Sequence, residues 1–227
     1  MERPLLLVAL LALAAVLVAQ GYRLRREGRA RRARRAAVLD AVLPLLRSPR
    51  GRIEPDGFAR LAGTYGGALV DLRVVADTLT TRKLPALWCL ATLTEAQPLP
   101  ATWHLMLRPR GTETFSAFDS LPRTLPVPPG LPHDAGLRTN GGEPPPAVLA
   151  AMEAAVASLG EARLKEVVLS PRGLRLTWLA EEAHRGRYLL FRDAEMDAPV
   201  LHDDLAALLD ALLVMRGLLA RPEKLSA

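Results

Sequence analysis

The sequence is poor in the residues and patterns that mark the common catalytic, metal and disulfide sites. Its 227 residues include one cysteine, Cys89, which excludes an intramolecular disulfide, and no Cys/His spacing resembles a zinc site. The segments G-x-S-x-G, G-x-x-x-x-G-K-[ST], H-E-x-x-H and G-x-G-x-x-G do not occur. The sequence therefore predicts no catalytic residue, no metal ion and no cofactor.

Without its N-terminal 35 residues, the chain also has no excess of positive or negative charge. The whole chain has a formal net charge of +6, but residues 36–227 carry 21 Lys and Arg against 22 Asp and Glu, a net charge of −1. A domain close to neutral is not expected to attract a polyanion. Aromatic residues make up 4% of the chain, which leaves few side chains to stack on bases, so we do not expect nucleic-acid binding.

The N-terminus has a long apolar run followed at once by arginines. Residues 4–19 contain no polar side chain, and extended through residue 22 the run spans about 28 Å as a helix, close to the roughly 30 Å of a hydrocarbon core. The Met-Glu-Arg start and the poor cleavage pattern at residues 17–19 disfavour a cleaved signal peptide. We predict a transmembrane anchor over residues 1–22, with the N-terminus outside and the rest of the chain in the cytoplasm.

An arginine-rich juxtamembrane stalk is predicted over residues 23–52. Its first role is to lock the orientation of the anchor. A second role, contact of all eight arginines with anionic lipid, requires the chain to bend at Gly28. RNA binding is a weaker third alternative. The predicted membrane-surface residues are Tyr22, Arg23, Arg25, Arg26, Arg29, Arg31, Arg32, Arg34 and Arg35.

The remaining chain, residues 53–223, is predicted to be one α+β domain that begins after a turn at residues 48–52. Strand-like alternation precedes and follows a helical period, which indicates an antiparallel sheet of about seven strands packed with two main helices. The helices are expected to begin near residues 144–146 and 203–204. Strands are expected near residues 58–64, 68–77, 86–94, 102–108, 137–139, 167–169, 174–179 and 187–192.

Residues 119–146 contain eight prolines and predict a long irregular connection. Two interpretations stay open at this point. The segment is either a lid over one face of the sheet or a mobile connection.

Four places in the sequence hold side chains that occur in catalytic or ligand-binding sites. At each of them we expect a structural role and not a functional one. Cys89 lies in a predicted buried strand, where its pKa rises and its reactivity falls. His202, Asp203 and Asp204 form an ordinary helix start. Residues 181–184 form a charged turn, and residues 77–83, DTLTTRK, lack the glycines that close a backbone around phosphate.

These patterns predict a single-pass protein of the bacterial cytoplasmic (inner) membrane. Its cytoplasmic domain is expected to be a non-catalytic protein-interaction or membrane-complex accessory module, with a protein partner or a second copy of the chain bound to it. The alternative is a membrane-tethered enzyme or small-ligand-binding domain. A deep polar pocket containing Asp77, His104 or His184 would favour that alternative.

Overall fold

The computed structural model describes residues 2–78, 84–109, 113, 115–183, 185–186 and 196–220, with side chains described from residue 10 onward. His184, residues 79–83 and the strand predicted at 187–192 lie outside the described residues. Within the described part, the chain forms three α-helices and nine strands. The predicted α+β class with a large antiparallel sheet is confirmed.

Helix α1, Glu2–Ala37, is continuous over 36 residues and is therefore about 54 Å long. It passes through Gly28 without interruption, so the helix break that we considered there is not formed. Among the helices whose side chains are described, none combines the length and apolar character needed to cross a membrane. The side chains of residues 4–9 lie outside that part, and the structure gives the predicted anchor no support.

The segment after α1 belongs to the hydrophobic core. Val38 and Leu39 are fully buried, and a 3₁₀ helix, Asp40–Leu45, adds Val42. The backbone N–H of Val200 donates to the carbonyl of Val38 at 3.0 Å, which joins this segment to the C-terminal part of the domain.

The turn expected at residues 48–52 is wrong, because these residues lie within a strand, Arg47–Ile53. All of its side chains are exposed, so it lacks the buried alternation that reveals most strands. Pro49 is accommodated beside a β-bulge between Arg47 and Arg50, where no regular ladder N–H is needed.

The nine strands form a single sheet in which every neighbouring pair is antiparallel. Their bounds are β1 Arg47–Ile53, β2 Ala59–Tyr65, β3 Ala68–Asp77, β4 Ala86–Leu93, β5 Trp103–Met106, β6 Arg123–Leu125, β7 Gly136–Thr139, β8 Leu164–Ser170 and β9 Gly173–Glu182. The order across the sheet is β1-β2-β3-β4-β9-β8-β5-β7-β6. We expected about seven strands, fewer than the nine observed. The two edge strands, β1 and β6, were not predicted, because their side chains are exposed and show no alternation of buried and exposed residues.

Two hairpins join strands whose positions were predicted. Gly66 and Gly67, with φ of 54° and 80°, turn β2 into β3 in the left-handed region that a tight hairpin requires. The turn at residues 170–173 joins β8 to β9. A side chain at Gly173 would collide with the carbonyl oxygen of Leu93, so this position requires glycine.

Helices α2, Pro146–Leu159, and α3, His202–Leu219, pack against each other and cover one face of the sheet. The leucines along one side of α3 are buried, as are Val148, Met152 and Val156 of α2. Burial of each large apolar side chain contributes roughly 1.5–3 kcal/mol. The α3 residues in this layer are Leu205, Leu208, Leu209, Leu212 and Leu219.

The opposite side of the sheet, called the helix-free face below, is covered by no α-helix within the described residues. A small apolar cluster of Ala86, Trp88, Leu90 and Phe115 lies on it. Strand β4 is therefore buried on both of its faces. The proline-rich segment 119–146 includes β6 and β7, which extend the sheet.

Candidate functional site

The predicted membrane-surface residues all lie on α1, and their surroundings divide them into two groups. Tyr22 and the arginines up to Arg32 are exposed. Arg34 forms an ion pair with Asp197 at 2.8 Å, and Arg35 donates to the carbonyl of Asp56 at 3.0 Å. The last two arginines therefore connect the helix to the domain.

The sheet register brings together a second set of arginines that the sequence analysis did not single out. Directly paired residues in an antiparallel sheet project from the same face, so the register identifies the side chains on the helix-free face. Six of them are arginines, of which Arg138 of β7 lies beside His104. The other five we call the arginine row: Arg50 and Arg52 of β1, Arg60 of β2, Arg73 of β3 and Arg175 of β9. The domain is almost neutral in total, yet this face is basic.

Two arginines of the row are paired with neighbouring carboxylates, Arg52 with Glu54 at 2.8 Å and Arg60 with Asp71. The Arg60 Nε atom lies 3.0 Å and 2.8 Å from the two carboxylate oxygens of Asp71. This hydrogen bond, outweighing the opposing effect of burial, raises the pKa of Arg60. Glu54 adds a longer contact at 4.0 Å.

The next two arginines are less well compensated. Arg73 is half-buried and has no hydrogen-bond or ion-pair partner within the described residues. Arg175 donates to the Thr92 hydroxyl at 3.3 Å. Burial and then the positive charge of Arg73 lower the pKa of Arg175, against the attraction of Glu166 and Asp71. An anion placed between these guanidiniums would stabilise both of them.

A buried polar group lies beside the arginine row. His104 Nε2 and Glu166 Oε1 are 2.9 Å apart, and the Thr177 hydroxyl donates to Glu166 Oε2 at 2.6 Å. All three residues are at most 2% exposed. Burial alone would raise the pKa of Glu166, but hydrogen bonds from His104, Ser116 and Thr177 outweigh it, so the pKa is lowered and the carboxylate is charged.

Phe118 closes the other side of this polar group. Its ring meets the His104 ring edge-on at a centroid distance of 5.1 Å, and the Arg138 guanidinium lies over it at 5.4 Å. A side chain at Gly136 would come within 2.8 Å of the Phe118 ring. The glycine thus makes room for the aromatic cover.

A groove of about 560 Å³ begins at Arg175 and runs past the β8–β9 turn. A smaller cavity of about 80 Å³ next to His104 and Glu166 shares four lining residues with it, Thr102, Ala117, Val168 and Arg175. Arg172 adds a second positive charge to the groove. The groove and the arginine row form one continuous surface at Arg175.

This arrangement is suited to recognition of negative charge. Arginine presents a planar set of donors that fits a carboxylate. The Glu166 carboxylate is held by three hydrogen bonds and is not poised to accept a proton from a substrate. No group of three or more His, Cys, Asp or Glu within the described ranges is placed to hold a metal ion.

The signal for the arginine row was present in the sequence, as charges alternating with buried apolar residues. In β3, Asp71 and Arg73 alternate with Val70, Leu72 and Val74. Such alternation shows that one strand has a polar face, but it does not show which strands are neighbours. Arg175 is more than 100 residues from both Arg60 and Arg73 in the chain. The sequence alone therefore could not show that these three arginines lie on one surface.

The other residues considered have ordinary surroundings where they are described, but Glu181 and Glu182 belong to strand β9 and not to the charged turn expected there. Cys89 is fully buried, and burial raises its pKa to about 12. His202 and Asp203 form an exposed contact at 3.1 Å at the start of α3. Asp77 is 2% exposed and lines a cavity of about 340 Å³.

Comparison with known proteins adds no family to this description. No protein-family model, no curated protein and no solved structure matches the chain.

Proposed function

We propose that this protein is a membrane-tethered, non-catalytic binding module whose helix-free face recognises an acidic segment of a partner protein in the cytoplasm. The observation that carries the proposal is the arginine row, in which Arg73 and Arg175 lie close together with incomplete compensation. Carboxylates of a partner would supply the missing negative charge.

An acidic protein segment fits this face better than a nucleic acid does. Asp71 and Glu166 are interleaved with the arginines and would repel a closely spaced phosphate backbone. Trp88 and Phe115, the large aromatics of the apolar cluster, are at most 9% exposed and are not available to stack on bases. Single carboxylates can instead be placed beside Arg73, Arg175 and Arg172.

The proposed membrane attachment is supported by the apolar sequence of residues 1–22 and by the exposed arginines that follow them. The arginines from Arg23 to Arg32 face solvent, where they can oppose translocation, and those at the start of the run, nearest the bilayer, can meet anionic lipid. Arg34 and Arg35 attach the other end of α1 to the domain. The helix would then serve as a spacer between the bilayer and the binding face.

Binding is tested with the full-length protein in neutral detergent and a fluorescein-labelled deca-glutamate peptide as the probe. We expect saturable binding that weakens as salt concentration rises, because exposed charges are screened over about 8–10 Å. Replacing both Arg73 and Arg175 by alanine should weaken binding by about tenfold or more, equivalent to about 1.4 kcal/mol.

The matched control is Arg123→Ala, at the far edge of the sheet, where the side chain donates to the Gly141 carbonyl. It removes a positive charge without touching the arginine row, so deca-glutamate binding should stay unchanged. Equal weakening by the control and the double variant would contradict the proposal. Tighter binding of a poly-dT oligonucleotide than of deca-glutamate, with the same dependence on Arg73 and Arg175, would assign the face to nucleic acid instead.

A second copy of the chain is the competing protein partner, because β1 is a fully exposed edge strand. Sedimentation equilibrium of the full-length protein distinguishes the two. A dimer that persists in the Arg73→Ala, Arg175→Ala variant would show that self-association does not use the arginine row.

The tether is tested by carbonate extraction of membranes from cells that express the full chain or residues 23–227. We expect the full chain to stay in the pellet and the truncated chain to be released. Retention of the truncated chain would show that residues 1–22 are not the attachment. A C-terminal fluorescent-protein fusion that folds only in the cytoplasm reports the orientation.

A further inference from the structure

The groove beside the β8–β9 turn, called the turn groove below, differs from the arginine row in the charges that surround it. Its volume of about 560 Å³ lies within the roughly 300–1,000 Å³ typical of small-molecule sites. Arg172 and Arg175 lie in its wall, and no Asp or Glu of the described chain lines it. Its other polar lining residues are all neutral: Thr92, Thr102, Asn140 and Ser170.

The sheet register places the Arg175 guanidinium at the wall of the turn groove. Thr92 and Arg175 are directly paired across β4 and β9, and Arg175 Nε donates to the Thr92 hydroxyl at 3.3 Å. Because both residues line the groove, this hydrogen bond lies at its wall. A guanidinium has five N–H donors, and within the described residues only this one has a partner. Arg175 can therefore donate further hydrogen bonds to a ligand.

The proline-rich segment 119–146 supplies a third donor through Asn140. The Asn140 Oδ1 atom accepts from the backbone N–H of Thr102 at 2.8 Å, and the Asn140 backbone N–H donates to the Thr102 carbonyl at 3.4 Å. These two bonds hold Asn140 at the groove by its backbone and its amide oxygen. The amide nitrogen has no partner within the described residues and is exposed, so it can donate to a bound anion.

The backbone that carries Arg172 is also held in place. In the β8–β9 turn, the Ser170 hydroxyl donates to the Gly173 carbonyl at 2.9 Å, and the backbone N–H of Gln97 donates to the Pro171 carbonyl at 3.0 Å. The Arg172 side chain is exposed and has no hydrogen-bond or ion-pair partner in the described part of the chain. Binding of an anion therefore has to order this side chain but not the turn beneath it.

The charges at the two surfaces select different anions. At the arginine row, Asp71 lies beside Arg60 and Glu54 lies beside Arg52, so a doubly charged ligand would be repelled there. At the turn groove, a single carboxylate would balance only one of the two arginines. A phosphate monoester carries a charge of about −1.5 to −2 at neutral pH and has three acceptor oxygens. It matches two guanidiniums and a neutral amide donor better than a carboxylate does.

We propose that the turn groove receives a phosphorylated serine or threonine side chain, whose phosphate accepts from Arg172, Arg175 and the Asn140 amide. This inference rests on the proposed function, because the phosphorylated residue belongs to the acidic segment that binds the arginine row. Arg175 lies in both surfaces, so a segment that follows the row can continue into the groove. Phosphorylation of the partner would then strengthen its binding.

The test uses the full-length protein in neutral detergent and three fluorescein-labelled peptides of glutamate and alanine that differ only at the central residue. That residue is serine, phosphoserine or glutamate, and binding is followed by fluorescence anisotropy. We expect the phosphoserine peptide to bind at least about tenfold more tightly than the serine peptide. The glutamate peptide should bind more weakly than the phosphoserine peptide, because it adds one charge and not two.

Two variants test the groove without altering the core. Asn140→Asp keeps the oxygen that accepts from Thr102 but places a negative charge in the groove, and Arg172→Ala removes an exposed arginine from the held turn. Each should reduce the advantage of the phosphoserine peptide over the serine peptide to less than about threefold. Circular dichroism checks that each variant is folded, and Arg172→Ala decides the question if Asn140→Asp is not.

The matched control is Arg47→Ala, which changes the net charge by the same one unit. Arg47 is exposed on β1, four strand spacings or about 19 Å from β9 across the sheet. The tenfold advantage of the phosphoserine peptide should persist in this variant. Loss of the advantage in the control as well would show that total charge, and not the groove, recognises the phosphate.

The remaining outcomes separate this inference from the proposed function. Equal binding of the phosphoserine and serine peptides would overturn the inference, while deca-glutamate binding that depends on Arg73 would leave the proposed function in place. Displacement of the phosphoserine peptide by an equal concentration of free O-phosphoserine would assign the groove to a free phosphate ester and overturn the phosphopeptide. Binding of the phosphoserine peptide through Arg172 and Asn140 without any binding of deca-glutamate would retain the phosphate site and reject the arginine row.

Discussion

The two faces of the sheet are built from the same strands, yet different forces hold them. On the helix-covered face, Leu72 and its apolar neighbours pack against α2 and α3. On the other face, neighbouring residues of the same strands carry charge, as Arg73 does next to Leu72. The first face is stabilised by removal of apolar surface from water, which is large and non-directional. The second depends on specific pairs such as His104 with Glu166, whose contribution changes with pH.

The largest expected effect is on the helix-covered face. Leu72→Ala removes a fully buried side chain and leaves a cavity, so it should lower the free energy of unfolding by about 2–5 kcal/mol. Urea denaturation followed by circular dichroism measures this loss. A loss below about 1 kcal/mol would mean that the layer between sheet and helices repacks easily.

The buried polar group should give a smaller effect that depends on pH. Glu166→Gln removes the negative charge facing His104 and Thr177, at a cost of about 1.5–3 kcal/mol at neutral pH. Because the folded-state pKa of Glu166 is lowered, its contribution is present above the ordinary carboxyl pKa of 4.5 and is lost as the pH falls below it. Urea titrations at pH 7 and pH 4 should therefore show wild type and variant converging in acid. A difference that grows in acid would contradict this assignment.

Tyr65 offers a polar contact at the rim of the helix-covered face for comparison. Its hydroxyl donates to Asp210 of α3 at 2.7 Å, and this bond raises the Tyr65 pKa to about 12. The contribution is therefore present below pH 10 and is lost as the pH rises towards 12. Since the contact is partly exposed, Tyr65→Phe should cost at most about 1 kcal/mol in thermal or urea unfolding. A cost as large as that of Leu72→Ala would show that the rim contact has a structural role beyond one hydrogen bond.

The smallest effect on stability is expected at the arginine row. Arg73→Ala removes a half-buried side chain that repels Arg175, so the free energy of unfolding should change by no more than about 0.5 kcal/mol. The same variant should still weaken deca-glutamate binding. A clear loss of stability without a change in binding would show that Arg73 serves the fold and not recognition.

The elements with strong alternation or helical period were predictable because the residues that specify them are close in sequence. Strand β3 and the β8–β9 hairpin follow the predicted pattern, and α3 begins one residue before its predicted acidic start. The edge strands β1 and β6 were not predicted, because their side chains are exposed and apolar and polar residues do not alternate along them. Cys89 was correctly expected to be a core residue, since both faces of β4 are apolar.

The binding surfaces could not be predicted from the sequence, because the residues that form them are far apart in the chain. The strands of the hairpins could be predicted, because their residues are close together in the chain. His104 and Glu166 are 62 residues apart, and Arg175 meets Thr92 across 83 residues. Such contacts depend on the pairing of β4 with β9 and of β5 with β8, which no local pattern specifies.

The sequence by itself determined the fold class, the two helices of the core, and the concentration of net positive charge in the first 35 residues. These properties follow from composition and from periods of a few residues, which act locally. The tertiary structure alone decided that a nearly neutral domain presents a basic face. Charges and donors act over a few ångströms of space, so their meaning depends on which distant strands the fold places side by side.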